Sequence, residues 1–123
     1  MFSFEKMDVY QRAESFHSVI FGFLKSNPPL PGYLKDQLGR AALSISLNIA
    51  EGSGRFSKKE RRNFFVMARS SAFECAAITR TLSNEKIVTP DTALEWAEKL
   101  EMISKALFGM IRNLEEKKKE VVK

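Results

Sequence analysis

Six cations crowd one short stretch of this chain. Arg55, Lys58, Lys59, Arg61, Arg62 and Arg69 stand against Glu60 as the only acid between residues 55 and 69. Guanidinium and ammonium groups at that density do one thing well: they neutralise the phosphates of a polyanion, without selecting a base sequence. The rest of the chain is balanced. Residues 1–32 carry three positive and three negative groups, and residues 87–123 carry seven of each. Residues 33–86 carry ten basic and five acidic groups, so the whole net charge of +5 lies there. From charge alone a solvated helix end is the competing reading, because charges at a helix start serve solvation as readily as they serve a ligand.

Groups that could make or break bonds are sparse. His17 is the only histidine and Cys75 the only cysteine, and no Cys or His pair has zinc spacing. No metal or other cofactor is expected. Gly52-Ser53-Gly54 resembles a fragment of a phosphate cradle but lacks the Lys-Ser/Thr and the preceding strand of one. Cys75 falls on an apolar stripe and reads as a small core residue, with no histidine near in sequence to activate it. Arg12 and His17 match the loose Arg-x4-His pattern of the HEPN class of ribonucleases, which are also helical bundles. In that class the pattern sits on a later helix and needs a composite dimer site, whereas here it sits on the first helix. A partly exposed His17 beside the core is the simpler reading, and a HEPN-like ribonuclease stays a remote alternative. Glu51 lies at a helix end beside glycines, where a carboxylate serves as a local hydrogen-bond acceptor. The chain is therefore expected not to be an enzyme.

The elements that must position these groups are helices. Val9, Ala13, Phe16, Ile20 and Phe23 recur at three- and four-residue spacing, giving a first helix from about Asp8, a plausible N-cap, to Leu24. The prolines of Ser26-Asn-Pro-Pro-Leu-Pro-Gly32 end it. A second helix spans about Tyr33 to Glu51, with Leu34, Leu38, Ala41, Ala42, Ile45 and Ile49 inside one arc. Glu51 to Ser57 is the sharpest break: Gly52 can take the left-handed conformation that closes a helix, and Ser57 with Glu60 forms a capping box. The third helix runs from there to about Lys86, with Phe64, Phe65, Ala68, Ala72, Cys75, Ile78, Thr79 and Leu82 in its stripe. Ala68, Ser71 and Ala72 allow close helix approach. Thr89-Pro90 reads as N-cap and first residue of the fourth helix, whose stripe is Leu94, Ala97, Leu100, Ile103, Leu107, Met110, Ile111 and Leu114. The fold class is all-α, an antiparallel up-down-up-down four-helix bundle over residues 1–115, followed by a charged tail, 116–123, expected to fray.

Leu43, Leu47 and Ala50 lie on a second face of the second helix, away from its main arc. Either another copy of the chain covers that face, making these residues an oligomer interface, or the helix presents one wide face to the core. Asn48 and Ser44 stand near the edge of the main arc, where a polar contact would fix helix register. A hairpin about residues 52–57 would bring Arg40 near Arg69, and Glu74 near Lys35 and Asp36. That makes Arg40 and Glu74 structural, with Glu74 a member of an interhelical or intersubunit ion pair. The first residues lack a signal peptide's basic start and apolar stretch, and no apolar run approaches the ~18 residues of a membrane span. With one cysteine and no disulfide possible, a cytoplasmic protein with no membrane partner is expected.

The run Arg40-Ala-Ala-Leu-Ser44-Ile-Ser-Leu-Asn48-Ile-Ala-Glu51-Gly52-Ser-Gly54-Arg55, with Ser57-Lys-Lys-Glu60 after it, resembles the signature of the bacterial four-helix bundle proteins called 23S rRNA intervening sequence proteins. Phe64, Phe65, Ala68, Phe73 and Glu74 continue the pattern, and Phe4, Val9, Tyr10, Gln11 and Ala13 are similar to the family start. Leu47 departs from it, since many members have serine there. The resemblance covers about residues 4–115. It implies an up-down bundle that assembles as a homopentamer and has no established enzymatic activity. A related group, the accessory proteins of diversity-generating retroelements, binds RNA or DNA and a reverse transcriptase through basic surfaces. The implied partners are thus further copies of the chain, RNA or DNA, and a protein such as a reverse transcriptase. A protein-interaction or scaffolding module without nucleic acid is the alternative function.

Overall fold

The computed structural model describes residues 1–115; the tail expected to fray lies outside them. A short 3-10 turn, Ser3–Lys6, leads into four α-helices: α1 (Asp8–Lys25), α2 (Gly32–Ser53), α3 (Lys58–Asn84) and α4 (Pro90–Asn113). Among the described residues there is no strand. Helices adjacent in sequence pack together and α4 returns to α1, so the four stand at the corners of a square, with the α1–α4 edge the most sparsely packed. Each neighbouring pair is antiparallel. Ser44 meets Ser71 and Gly52 meets Phe65 across α2 and α3. Arg69 meets Phe108 and Arg62 meets Glu115 across α3 and α4.

Helix ends follow local chemistry, with some corrections. Ser57 caps α3 by accepting from the Glu60 amide at 3.1 Å. The return half of the capping box is replaced by a bond from the Ser57 hydroxyl to Glu60 Oε1 at 3.2 Å. Thr89 caps α4 by accepting from the Thr92 amide, and Pro90 is the first helical residue. Asp8 does not cap α1. It is already helical, and its carboxylate takes Arg12 Nε at 2.7 Å instead. The third helix stops at Asn84, two residues early, because Lys86 is left-handed (φ 60°) and the Ile87 amide reaches back to the Leu82 carbonyl at 2.8 Å. That pair of features satisfies the last carbonyls of a helix as a Schellman turn does.

Gly52 is the clearest reversal. It has no positive φ and does not close α2, which continues to Ser53. Its missing side chain is needed for packing: a Cβ there would lie 2.8 Å from Phe65 Cε1 and 2.9 Å from Phe64 Cβ. The Phe65 ring edge can swing, but Phe64 Cβ moves only with the α3 backbone. Gly52→Ala gains about 1 kcal/mol of helix propensity against roughly 1–3 kcal/mol of overpacking. The expected outcome is a lower melting temperature, by roughly 5 °C, in thermal unfolding followed by circular dichroism. A higher melting temperature would show that the α2–α3 corner can spread.

The core is a single column. Phe16 and Ile20 of α1, Leu38, Ile45 and Ile49 of α2, Phe65, Cys75 and Leu82 of α3, and Ile103 and Leu107 of α4 are all buried. Ala42, Ala68 and Ala72 are buried too, which lets α2 and α3 approach closely. In α4 the inward stripe is led by Trp96, set edge-on to Phe23 of α1 with ring centres 5.1 Å apart. Leu94 and Ala97, expected inward, are exposed, and Trp96 takes the inward place on the first turns of α4. Among the described residues no helix is long and apolar enough to cross a membrane.

Candidate nucleic-acid interface

The first turns of α3 carry Lys58, Lys59, Arg61 and Arg62, and the loop before them carries Arg55. Because α3 and α4 are antiparallel, the end of α4 comes to the same end of the bundle and adds Arg112. Lys58 and Lys59 are exposed and enter no ion pair among the described residues. Arg55 reaches Glu51 at 3.6 Å and lies over the Phe64 ring, 4.7 Å from its centre. Arg62 approaches Glu115 at 3.9 Å; both side chains are open to solvent, so this contact holds the cation only weakly.

The six cations do not form one patch. Arg61 lies over the bundle end, beside Ser3, Ser53, Phe65 and Asn113. Arg62 lies between α3 and α4, beside Leu114. Arg69 stands nearly two turns further along the same edge of α3, away from the other five. Its guanidinium sits 4.7 Å from the Phe73 ring centre and 5.3 Å from that of Phe108, and Arg112 also overlies Phe108, at 5.9 Å. The Nε atoms of Arg61, Arg62 and Arg69 are covered and lack a hydrogen-bond partner among the described residues. Their stems therefore lie flat on the protein while each residue remains only half-buried, as long cationic side chains do when they cover apolar surface.

Sequence reasoning missed the aromatic part of this region. Phe73 and Phe108 are about half exposed, and with Val66 and Ser70 they line a groove of about 320 Å³ between α3 and α4. The signal was the heptad spacing of Arg62, Arg69 and Val66, Phe73 along one edge of α3, which is only meaningful once α4 is known to lie there.

Of the residues expected to be structural, Arg40, Asn48 and Glu74 lie further along α2 and α3. Ser44 Oγ accepts from Asn48 Nδ2 at 2.9 Å and bonds Ser71 Oγ across the helix interface at 2.9 Å. This is the expected register contact, but it sets a different register from the one expected for the hairpin. Arg40, four residues before Ser44, is level with Cys75, four residues after Ser71. Arg40 is therefore near Glu74 in height and not near Arg69, and Glu74 is not level with Lys35 and Asp36. Four loop residues, Gly54–Ser57, separate the helices, and α2 runs two residues longer than expected, which accounts for part of this offset. Leu43 and Leu47 are 41% and 52% exposed, and Ala50 is half-buried. A wide core-facing α2 is thereby ruled out: these leucines lie outside the core.

The catalytic alternatives are not assembled. Arg12 is held by Asp8 and leans on Met102, with Nη1 3.7 Å from its sulfur. His17 is half-buried beside Phe21, with ring centres 6.1 Å apart. Five residues along one helix turn the two side chains about 140° apart, so within one chain they point to different sides of α1. Cys75 is buried, and desolvation, aided by the Glu74 charge, pushes its thiol up to about 12. Such a thiol is not a nucleophile at neutral pH. Among the described residues no three His, Cys, Asp or Glu side chains are grouped to hold a metal ion.

Residues 5–109 match the family model described as 23S rRNA-intervening sequence protein. The chain belongs to that family. The bundle is also similar to the crystal structure of a protein of unknown function from the S23 ribosomal protein family of Bacteroides thetaiotaomicron VPI-5482. The two share 22% identity and a TM-score of 0.81, over 85% of this chain and 98% of the other. At that identity the likeness concerns the fold. No curated protein matches the chain. The matched span of this family member contains α1 to α3 and most of α4, and so includes the whole cationic stretch.

Proposed function

We propose that this family member is a non-enzymatic, self-associating bundle that holds RNA, or DNA, nonspecifically by its phosphates. One observation carries the reading: Lys58, Lys59, Arg61 and Arg62 share the first turns of one helix at one end of the bundle, and the two lysines are exposed and enter no ion pair among the described residues. The positive end of the α3 dipole adds to the same field. Among the described residues Glu51 pairs with Arg55, Glu115 approaches Arg62, and Glu60 takes the Ser57 hydroxyl, so the carboxylates at this end leave Lys58, Lys59 and Arg61 without an ion-pair partner there. The sequence has no base-reading motif, so the contacts proposed are to the backbone.

Self-association is supported by the exposed Leu43 and Leu47 on α2, a face no other helix of the same chain covers. A closed ring of identical chains, the pentamer implied by the family resemblance, would cover it. The groove of Phe73 and Phe108 around Arg69 favours a second reading, a protein-interaction module, because exposed aromatics with a covered arginine are typical interface material.

Salt decides between them. Binding of a fluorescently labelled RNA, read by anisotropy, is expected to weaken roughly 50-fold between about 50 and about 200 mM salt if some four phosphates are contacted. Affinity independent of salt, or no binding at the low end, would leave the protein-interaction reading.

A further inference from the structure

Phe56 is fully exposed, at 102% of its reference area, on the loop between α2 and α3. It is flanked by Arg55 on one side and by Lys58 and Lys59 on the other. The ring does not stand out for want of structure beneath it. The Gly54 amide donates to the Glu51 carbonyl at 3.1 Å and the Arg55 amide to the Gly52 carbonyl at 3.2 Å. Ser57 is fixed by its bonds to Glu60, and the close contact of Gly52 with Phe64 and Phe65 locks the corner below. Nor is there an aromatic slot for it to fold back into, because the Arg55 guanidinium already covers the Phe64 ring. The loop therefore presents a bare π-face on a hydrogen-bonded base, with cationic residues next to it in the chain.

We propose that Phe56 is a stacking platform for an unpaired base, so that the nucleic acid held at the basic end is single-stranded. This rests on the nucleic-acid reading above and narrows it. A duplex hides the faces of its bases and offers a protein only groove edges and phosphates, whereas a single strand offers a π-face beside each phosphate. An exposed ring next to cations matches the second and is left idle by the first. A lipid surface fits less well: one ring, bounded by Ser53, Ser57 and charged neighbours, provides little apolar area to insert. A second copy fits poorly too, because two such loops would meet as like charges.

The test uses the full chain and an unstructured oligouridine, alone and, for comparison, a duplex RNA of equal length. Phe56→Ala is expected to weaken oligouridine binding about tenfold or more while leaving the duplex affinity unchanged, and Phe56→Tyr to retain wild-type affinity. Phe56→Trp adds a direct readout, because Trp96, the only native indole, is buried. The emission of the added indole should be quenched by oligouridine and unaffected by inorganic polyphosphate, which competes through charge alone. The light-scattering mass should not change in any of these variants.

Equal losses on both nucleic acids, or no loss on either, would overturn the stacking role while leaving the phosphate-binding reading intact. Wild-type protein that binds neither at low salt would remove both. A blue shift on phosphatidylserine vesicles without quenching by RNA would move the loop to a membrane surface. A fall in assembly mass in Phe56→Ala would assign the ring to a contact between copies.

Discussion

Replacing Lys58, Lys59, Arg61 and Arg62 together by Glu is expected to weaken RNA binding by roughly 100-fold or more, measured by anisotropy at low salt. The four reversals remove eight units of positive charge and take the chain from +5 to −3. They also place four acids where the cations now face the ligand. The fold should survive. Lys58 and Lys59 are exposed, and acidic residues in a first turn interact favourably with the helix dipole, by about 0.3–1 kcal/mol each. Arg61 and Arg62 are half-buried along their stems, so a modest drop in melting temperature is expected from their loss of packing. The double variant Lys58→Glu, Lys59→Glu avoids that drop and should show a substantial part of the binding loss. Undiminished binding by the quadruple variant, with a normal melting curve, would show that phosphates are held elsewhere.

Leu43→Asp and Leu47→Asp are each expected to lower the mass measured by light scattering from a multiple of 14.0 kDa towards a single chain. Burying a leucine on association is worth about 1.5–3 kcal/mol, and a carboxylate at the same place adds an uncompensated charge to the interface. In the free chain both positions are about half exposed, at 41% and 52%, so the melting temperature of the separated bundle should change little. Mass is the readout that matters here, because loss of folding would lower stability and mass together. If both variants keep the wild-type mass, α2 does not carry the interface. If the wild-type chain already has a mass of 14.0 kDa, the exposed leucines serve another partner.

Which features could be read before the fold was in view depends on the range of the physics behind them. The four helices follow from apolar spacing within each segment, and the starts of α3 and α4 from Ser57 and from Thr89-Pro90, whose hydrogen bonds close within three residues. The local charge excess and the second apolar face of α2 were also legible, because both are properties of one helix taken alone. Gly52 shows the limit. A glycine near a helix end suits a left-handed closure, and nothing in its neighbourhood says that Phe64 and Phe65 will arrive from another helix and need the space. The α2–α3 register failed for the same reason: it depends on where Ser44 finds Ser71, a bond between residues 27 apart in the chain. Trp96, set against Phe23 of another helix, takes the inward place that local spacing assigned to Leu94.

The cationic stretch divides along the same line. Its residue types are enough to make it attractive to phosphate, since charge acts at a distance and needs no fixed geometry. Only tertiary structure sends Arg61 over the bundle end, Arg62 and Arg69 into the α3–α4 groove, and Arg55 onto Phe64. It alone leaves Phe56 bare on the α2–α3 loop, because which rings are buried is decided by neighbours from other helices. Local spacing determined the helices and the sign of the surface; packing between helices determined which of those charges and rings share a face.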